Sequence, residues 1–233
     1  MAIQENLLKV RQRIALTCSK VGRYPDSLTL VAVGKGRSVD DIKEALALGI
    51  TDIGESRVQE ALDKFNEIMS QGNKEQLTKW HLVGHLQTNK VREAVKIFDL
   101  IQSVDSWHLA QEIDKQAARI EKIQDILIEV KTSPEATKFG LAPLEAPGAV
   151  KEIKKLKNLR VKGLMTIAPF VDDPEKARPY FRKLREIMDE MIKAGIWDFG
   201  FGILSMGMSD DFEVAIEEGA NMVRIGRAIF NSA

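Results

Sequence analysis

Eight short runs that read as strands recur along the 233-residue chain, alternating with stretches of helical period, and this alternation limits the fold more than any other feature. The first run, Leu28 to Val33, is nearly uninterrupted, as expected of a strand covered on both faces, and ends at Gly34-Lys35-Gly36. Ser38 then stands three residues before Asp41, the spacing of a capping box. Ile42, Ala45, Leu46 and Leu48 keep helical period until Gly49. Further strands are expected at Asp52 to Glu55, Trp80 to Gly84, Leu100 to Asp105, Asp125 to Thr132, Val161 to Ala168, Phe201 to Gly207 and Met222 to Gly226. Helical stretches separate them at Val58 to Met69, Thr88 to Phe98, Ser106 to Ile120, Leu144 to Leu156, Pro174 to Ala194 and Asp210 to Glu218. Eight parallel strands close a barrel, and the chain length lies near the ~250 residues typical of a (β/α)8 TIM barrel. An amphipathic helix from Ala2 to Lys20, with Cys18 packed on it, is free to complete the outer ring where the last strand has almost no chain left. The expectation is a single α/β domain over residues 1–233, with an open doubly wound sheet as the alternative.

Composition narrows the function classes. Thirty-four Lys plus Arg balance thirty-four Asp plus Glu, so no global field attracts nucleic acid or an anionic membrane. No apolar run approaches the ~18 residues of a membrane span. The N-terminus is charged throughout and lacks the pattern of a secretory leader, while the single cysteine, Cys18, fits a reducing compartment. A cytoplasmic location is the expectation, with no nucleic-acid and no membrane partner.

In a barrel of this kind chemistry gathers where strands end. Lys35 closes the first run between two glycines; a lysine there either reaches solvent or, losing its proton in a desolvated mouth, condenses with a carbonyl. Ser205-Met206-Gly207-Met208-Ser209 leads into a helix with Asp210 and Glu213 at capping-box spacing, and Arg224-Ile225-Gly226-Arg227 follows the eighth strand. Glycines, hydroxyls, cations and a helix N-terminus in these two neighbouring loops suit a phosphate. Read singly, each is also a capped helix or an arginine ion pair. Glu55 and Ser56 close strand two, Lys131 and Thr132 strand five, and Met165 and Thr166 strand six. Lys131 is therefore the rival to Lys35. His81 and His85, without a third histidine or clustered carboxylate, make a poor metal site; His81 reads as structural and His85 as reaching the mouth.

The blocks Val31-Ala-Val-Gly-Lys35, Gly54-Glu-Ser-Arg-Val-Gln-Glu60, Trp80-His-Leu-Val-Gly-His-Leu-Gln-Thr-Asn-Lys90, Gly163-Leu-Met-Thr-Ile-Ala-Pro169, Leu204-Ser-Met-Gly-Met-Ser-Asp-Asp211 and Met222-Val-Arg-Ile-Gly226 resemble the pyridoxal-phosphate homeostasis protein family, collinearly and over nearly the whole chain. The resemblance implies a barrel like the N-terminal domain of alanine racemases, with pyridoxal 5'-phosphate (PLP) as cofactor and Lys35 holding it as an internal aldimine. It implies Ser205, Gly207, Ser209, Gly226 and Arg227 for the phosphate and Arg224 near the pyridine nitrogen, with Ser56, His85 and Met165 also in the cofactor site. A charged arginine at that nitrogen disfavours its protonation and weakens the ring as an electron sink, which favours holding the cofactor over carbanion chemistry. Gly34, Gly36, Ser56, Lys131, Arg227 and Asn231 depart from the family's usual residues. The implied function is PLP homeostasis without turnover in a monomer, with PLP-dependent client enzymes as partners. The alternatives are a PLP-dependent amino-acid racemase, for which the sequence to Ala233 offers no second domain and only Tyr24 and Tyr180 as tyrosines, and a Schiff-base aldolase on a phosphosugar.

Overall fold

The computed structural model of the protein describes residues 2–70, 78–135, 138–197 and 202–231. Eight parallel strands close in chain order: β1 (Thr29–Val33), β2 (Asp52–Glu55), β3 (Lys79–Leu82), β4 (Leu100–Val104), β5 (Gln124–Glu129), β6 (Leu159–Met165), β7 (Ile203–Ser205) and β8 (Met222–Ile225). The closing pair sets Val31 beside Arg224 and Ala32 beside Ile225. Outside the barrel run α1 (Ala2–Lys20), α2 (Val39–Ala47), α3 (Val58–Ser70), α4 (Val91–Ile97), α5 (Trp107–Ala118), α6 (Ala146–Ile153), α7 (Arg178–Lys193), α8 (Phe212–Glu217) and the one-turn α9 (Arg227–Phe230).

Two apolar clusters hold this arrangement. A large shell between strands and helices includes Ile42, Ile53, Trp80, Phe98, Phe181 and Phe212. A smaller cluster of Val31, Leu100, Leu127, Met165 and Met222 comes from five strands and fills the barrel interior. The N-terminal helix buries Ile3, Leu7, Val10, Ile14 and Cys18 as one stripe. Its Arg13 grips Glu213 on α8 through two bonds of 3.1 and 2.7 Å and lies over the Phe212 ring. Asn6 donates to the carbonyls of Ile229 and Asn231, so α1 is a stave of the ring beside α9.

The Ser38 capping box forms with both bonds, 3.1 and 3.0 Å. Other boundaries differ from expectation for local reasons. Residues Thr88–Lys90 and Pro174–Ala177 wind as 3-10 turns before α4 and α7, the second opened by proline. The fifth strand stops at Glu129, because Val130 and Leu141 pair there instead, so Lys131 and Thr132 lie in the following loop. The box expected at Asp210 and Glu213 does not form: Asp210 pairs with Arg227, Glu213 with Arg13, and Asp211 accepts from the Met208 amide at 2.6 Å. The expected start of the seventh strand at Phe201 lies outside the described residues.

Candidate functional site

The C-terminal ends of the strands surround a cavity of about 600 Å³. Lys35 lines it from the turn after β1, two residues beyond the strand's end at Val33. That turn is fastened from beneath. Gly34 donates to the Gly54 carbonyl at 2.9 Å and accepts from the Arg37 amide at 2.9 Å. The buried ammonium of Lys64 on α3 donates to the Gly34 carbonyl at 2.7 Å, and the Gly36 amide donates to Glu60 at 2.6 Å. Lys64 also bonds Glu55 and Glu60, each at 2.8 Å. Burial raises the Glu55 carboxyl above its usual range against the pull of Lys64. Burial also opposes ionisation of Glu60, but bonds from Lys64 and the Gly36 amide carry it below that range. Gly36 has φ +69°, a conformation that favours glycine, and a Cβ on Gly34 would stand 2.4 Å from Ile42 Cδ1 and oblige that side chain to shift. Lys35 itself forms no hydrogen bond or ion pair with a described residue, leaving its amine uncommitted.

Opposite, Ser209, Gly226 and Arg227 line the cavity. The Ser209 hydroxyl accepts from the Ala228 amide at 3.2 Å, and a Cβ on Gly226 would meet the Val33 carbonyl at 3.0 Å. Ser56 and His85 line it as well; His85 sits 3.2 Å from Asp105 and stacks on Phe139 at 3.7 Å.

Three expected site residues are placed differently. Ser205 is fully buried under the cavity floor, its hydroxyl donating to Gln102 Oε1 at 2.6 Å and accepting from Arg224 Nη1 at 2.6 Å. It is spent on holding Arg224 and does not line the cavity. Gly207, at φ +92°, packs against Ala215 and Phe212, where a Cβ would approach to 2.6 and 2.9 Å, and gives its carbonyl to the Arg224 amide at 3.0 Å. Met165 closes β6 with its side chain inside the barrel cluster, because the last residue of that strand points inward below the mouth.

Arg224 rises through this floor. It is 3% exposed yet lines the cavity, and Nη2 donates to the Thr166 carbonyl at 2.8 Å. Burial lowers it to about 10, opposed by Glu129 and Asp211. Arg37 and Arg57 complete the wall and were not singled out in the sequence; adjacency to Lys35 and Ser56 was the available signal. Five cations, Lys35, Arg37, Arg57, Arg224 and Arg227, thus face the cavity, and no carboxylate among the described residues lines it.

Lys131 lies elsewhere, in a side cavity of about 180 Å³ with Glu129, Lys138 and Phe139. Lys138 donates to the Ala168 carbonyl at 2.8 Å. Burial lifts the Glu129 carboxyl to about 7, with Asp105 adding to the rise and Arg224 opposing it.

A profile of the family described as alanine racemase, N-terminal domain, matches residues 2–233. The chain is 42% identical over 226 residues to the pyridoxal phosphate homeostasis protein of Aquifex aeolicus, covering 97% of this chain and 96% of that one. It is 36% identical to the protein of the same name from Pseudomonas aeruginosa, covering 99% and 95%. The structure of PipY from Synechococcus elongatus with PLP bound superposes with a TM-score of 0.84 at 34% identity, covering 98% of this chain and all of that one. Alanine racemase of Clostridium difficile, at 17% identity and TM-score 0.72, shares the fold over 57% of its length.

Proposed function

The chain belongs to the alanine racemase N-terminal domain family and, within it, to the pyridoxal phosphate homeostasis proteins, and from that premise we propose how its mouth cavity holds the cofactor and to what end. The protein is a PLP-binding protein of PLP homeostasis. The observation that carries the reading of the site is the cavity wall of five cations without a carboxylate, around a lysine amine that no described residue occupies. PLP supplies an aldehyde that condenses with a primary amine and a phosphate that needs donors. Lys35 is the attachment point, held in place by the Gly34 and Gly36 bonds to α3. Ser209, Gly226 and Arg227, which line the wall opposite, would hold the phosphate, and Arg224 at the floor would lie by the ring. Ser56 and His85 line the rest of the wall. Ser205 and Gly207 act one layer below, by fixing Arg224.

The role is holding and delivery without turnover, by a single-domain monomer in the cytoplasm that passes PLP to client enzymes. Two-base racemisation needs a second proton carrier opposite the lysine. Tyr24 is 83% exposed and Tyr180 is packed on the helical shell, and neither lines the cavity. An absorbance titration of the wild type and Lys35→Ala with PLP, alongside circular dichroism and an amino-acid turnover assay, tests the reading. The variant is expected to keep its fold and lose the retained cofactor. Equal retention by both proteins overturns the role of Lys35, and saturable racemisation by the wild type overturns the absence of turnover.

A further inference from the structure

An unbroken chain of hydrogen bonds runs through the barrel from its N-terminal end to the floor of the mouth cavity. Asp52 Oδ1 lies 2.9 Å from His81 Nε2, and His81 Nδ1 lies 3.0 Å from Gln102 Nε2. Gln102 Oε1 accepts from the Ser205 hydroxyl, which accepts from Arg224. His81, Gln102, Ser205 and Arg224 are buried, on β3, β4, β7 and β8, so only closure of the barrel brings them together. At the lower end Asp52 and His81 line a separate cavity of about 470 Å³, opening at the N-terminal ends of the strands.

Donor chemistry gives the chain one direction. A guanidinium only donates, so Ser205 must accept from Arg224 and send its own proton to Gln102 Oε1. The Gln102 amide nitrogen then faces His81 Nδ1, which must accept, leaving the imidazole proton on Nε2 directed at Asp52. Gln102 Nε2 also reaches Met222 Sδ at 3.3 Å, a second contact that holds this amide orientation. Turning the amide over would leave the Ser205 proton without its acceptor and set the Gln102 carbonyl oxygen against the accepting His81 Nδ1, and buried groups left so are costly.

We propose that Gln102 is a positioning residue for Arg224: its amide, oriented by the His81–Asp52 pair, fixes the direction of the Ser205 hydroxyl and so holds the guanidinium at the cavity floor. The pair at the far end of the barrel thereby belongs to the cofactor site without touching it. This rests on reading the mouth cavity as the PLP site, but the chain itself is a property of the cofactor-free protein.

Gln102→Glu tests it, since the substituted carboxylate still accepts from Ser205 and has no proton for His81. Nitrogen-15 NMR of the cofactor-free wild type is expected to show His81 protonated on Nε2 and accepting at Nδ1; in Gln102→Glu the Nδ1 nitrogen gains a proton. The same variant keeps the acceptor for Ser205 and is expected to bind PLP within about twofold of the wild type. Gln102→Leu removes that acceptor, and there PLP binding is expected to weaken about tenfold, with a shifted absorption maximum, because the hydroxyl bonded to a charged group loses its orientation. A wild-type His81 protonated on Nδ1 overturns the proposal. So does a folded Gln102→Leu whose PLP affinity and absorption match the wild type. Failure of the wild type to bind PLP would instead overturn the functional reading, with the NMR result still deciding the direction of the chain.

Discussion

The ammonium of Lys64 donates to the carbonyl of Gly34 at 2.7 Å, so a buried charge on α3 fixes the residue that precedes Lys35. The same ammonium faces Glu55 and Glu60, and Glu55 is fully buried with Oε2 unpaired. Replacing Lys64 by Met removes the positive partner and leaves carboxylates that burial already disfavours. The expected cost is about 3–5 kcal/mol, as for breaking one side of a buried pair. Urea denaturation of Lys64→Met against the wild type measures it. A variant within about 0.5 kcal/mol of the wild type would show that the clamp is not a stabilising unit.

Glu129 makes stability depend on pH in a direction opposite to that of most carboxylates. Burial raises its folded value from 4.5 to about 7, so across that interval the native state keeps a proton the unfolded chain has released. Its contribution to stability is full below the unfolded value and is lost as pH rises through about 7. Glu129→Gln removes the titration. Relative to the wild type, it is expected to gain on the order of 1–3 kcal/mol on going from pH 4.5 to pH 8. Thermal denaturation at the two pH values reads the difference, and an unchanged gap contradicts it.

Strands such as Leu28 to Val33 were legible because parallel strands buried on both faces read as nearly continuous apolar runs, while others, Asp52 to Glu55 among them, were legible only from their alternation with helical stretches. The stripe Leu7, Val10, Ile14 likewise marks α1 as a packed stave. What the sequence could not separate was the layer at which a polar residue works. Ser205 and Ser209 stand in one motif and suit a phosphate equally as text, yet Ser205 faces down onto Gln102 and Ser209 faces the cavity. Gln102 and Asp52 carried no signal at all, since an inward polar side chain acquires meaning only from residues on other strands. Met165, whose side chain lies in the barrel cluster, shows the same ambiguity: ending a strand at the mouth does not decide on which side of the floor the side chain falls.

Arg227 pairs with Asp210 at the cavity rim and is about two-thirds exposed. Its contribution to anion binding is therefore that of a solvated charge, and Arg227→Ser is expected to weaken PLP binding roughly three- to tenfold at low salt. The loss should shrink as ionic strength rises, because screening removes an exposed charge's contribution first. Titrations at low and high salt check this; a loss that is the same at both would place Arg227 in a desolvated contact instead.

The most direct test of Lys35 as the cofactor's attachment point is borohydride reduction of the protein after incubation with PLP and desalting, followed by peptide mapping of the modified lysine. The desalted protein is expected to retain a yellow chromophore, and the reduced adduct to map to Lys35 alone. A colourless protein, or an adduct on Lys131 or Lys138 in the side cavity, would contradict the assignment.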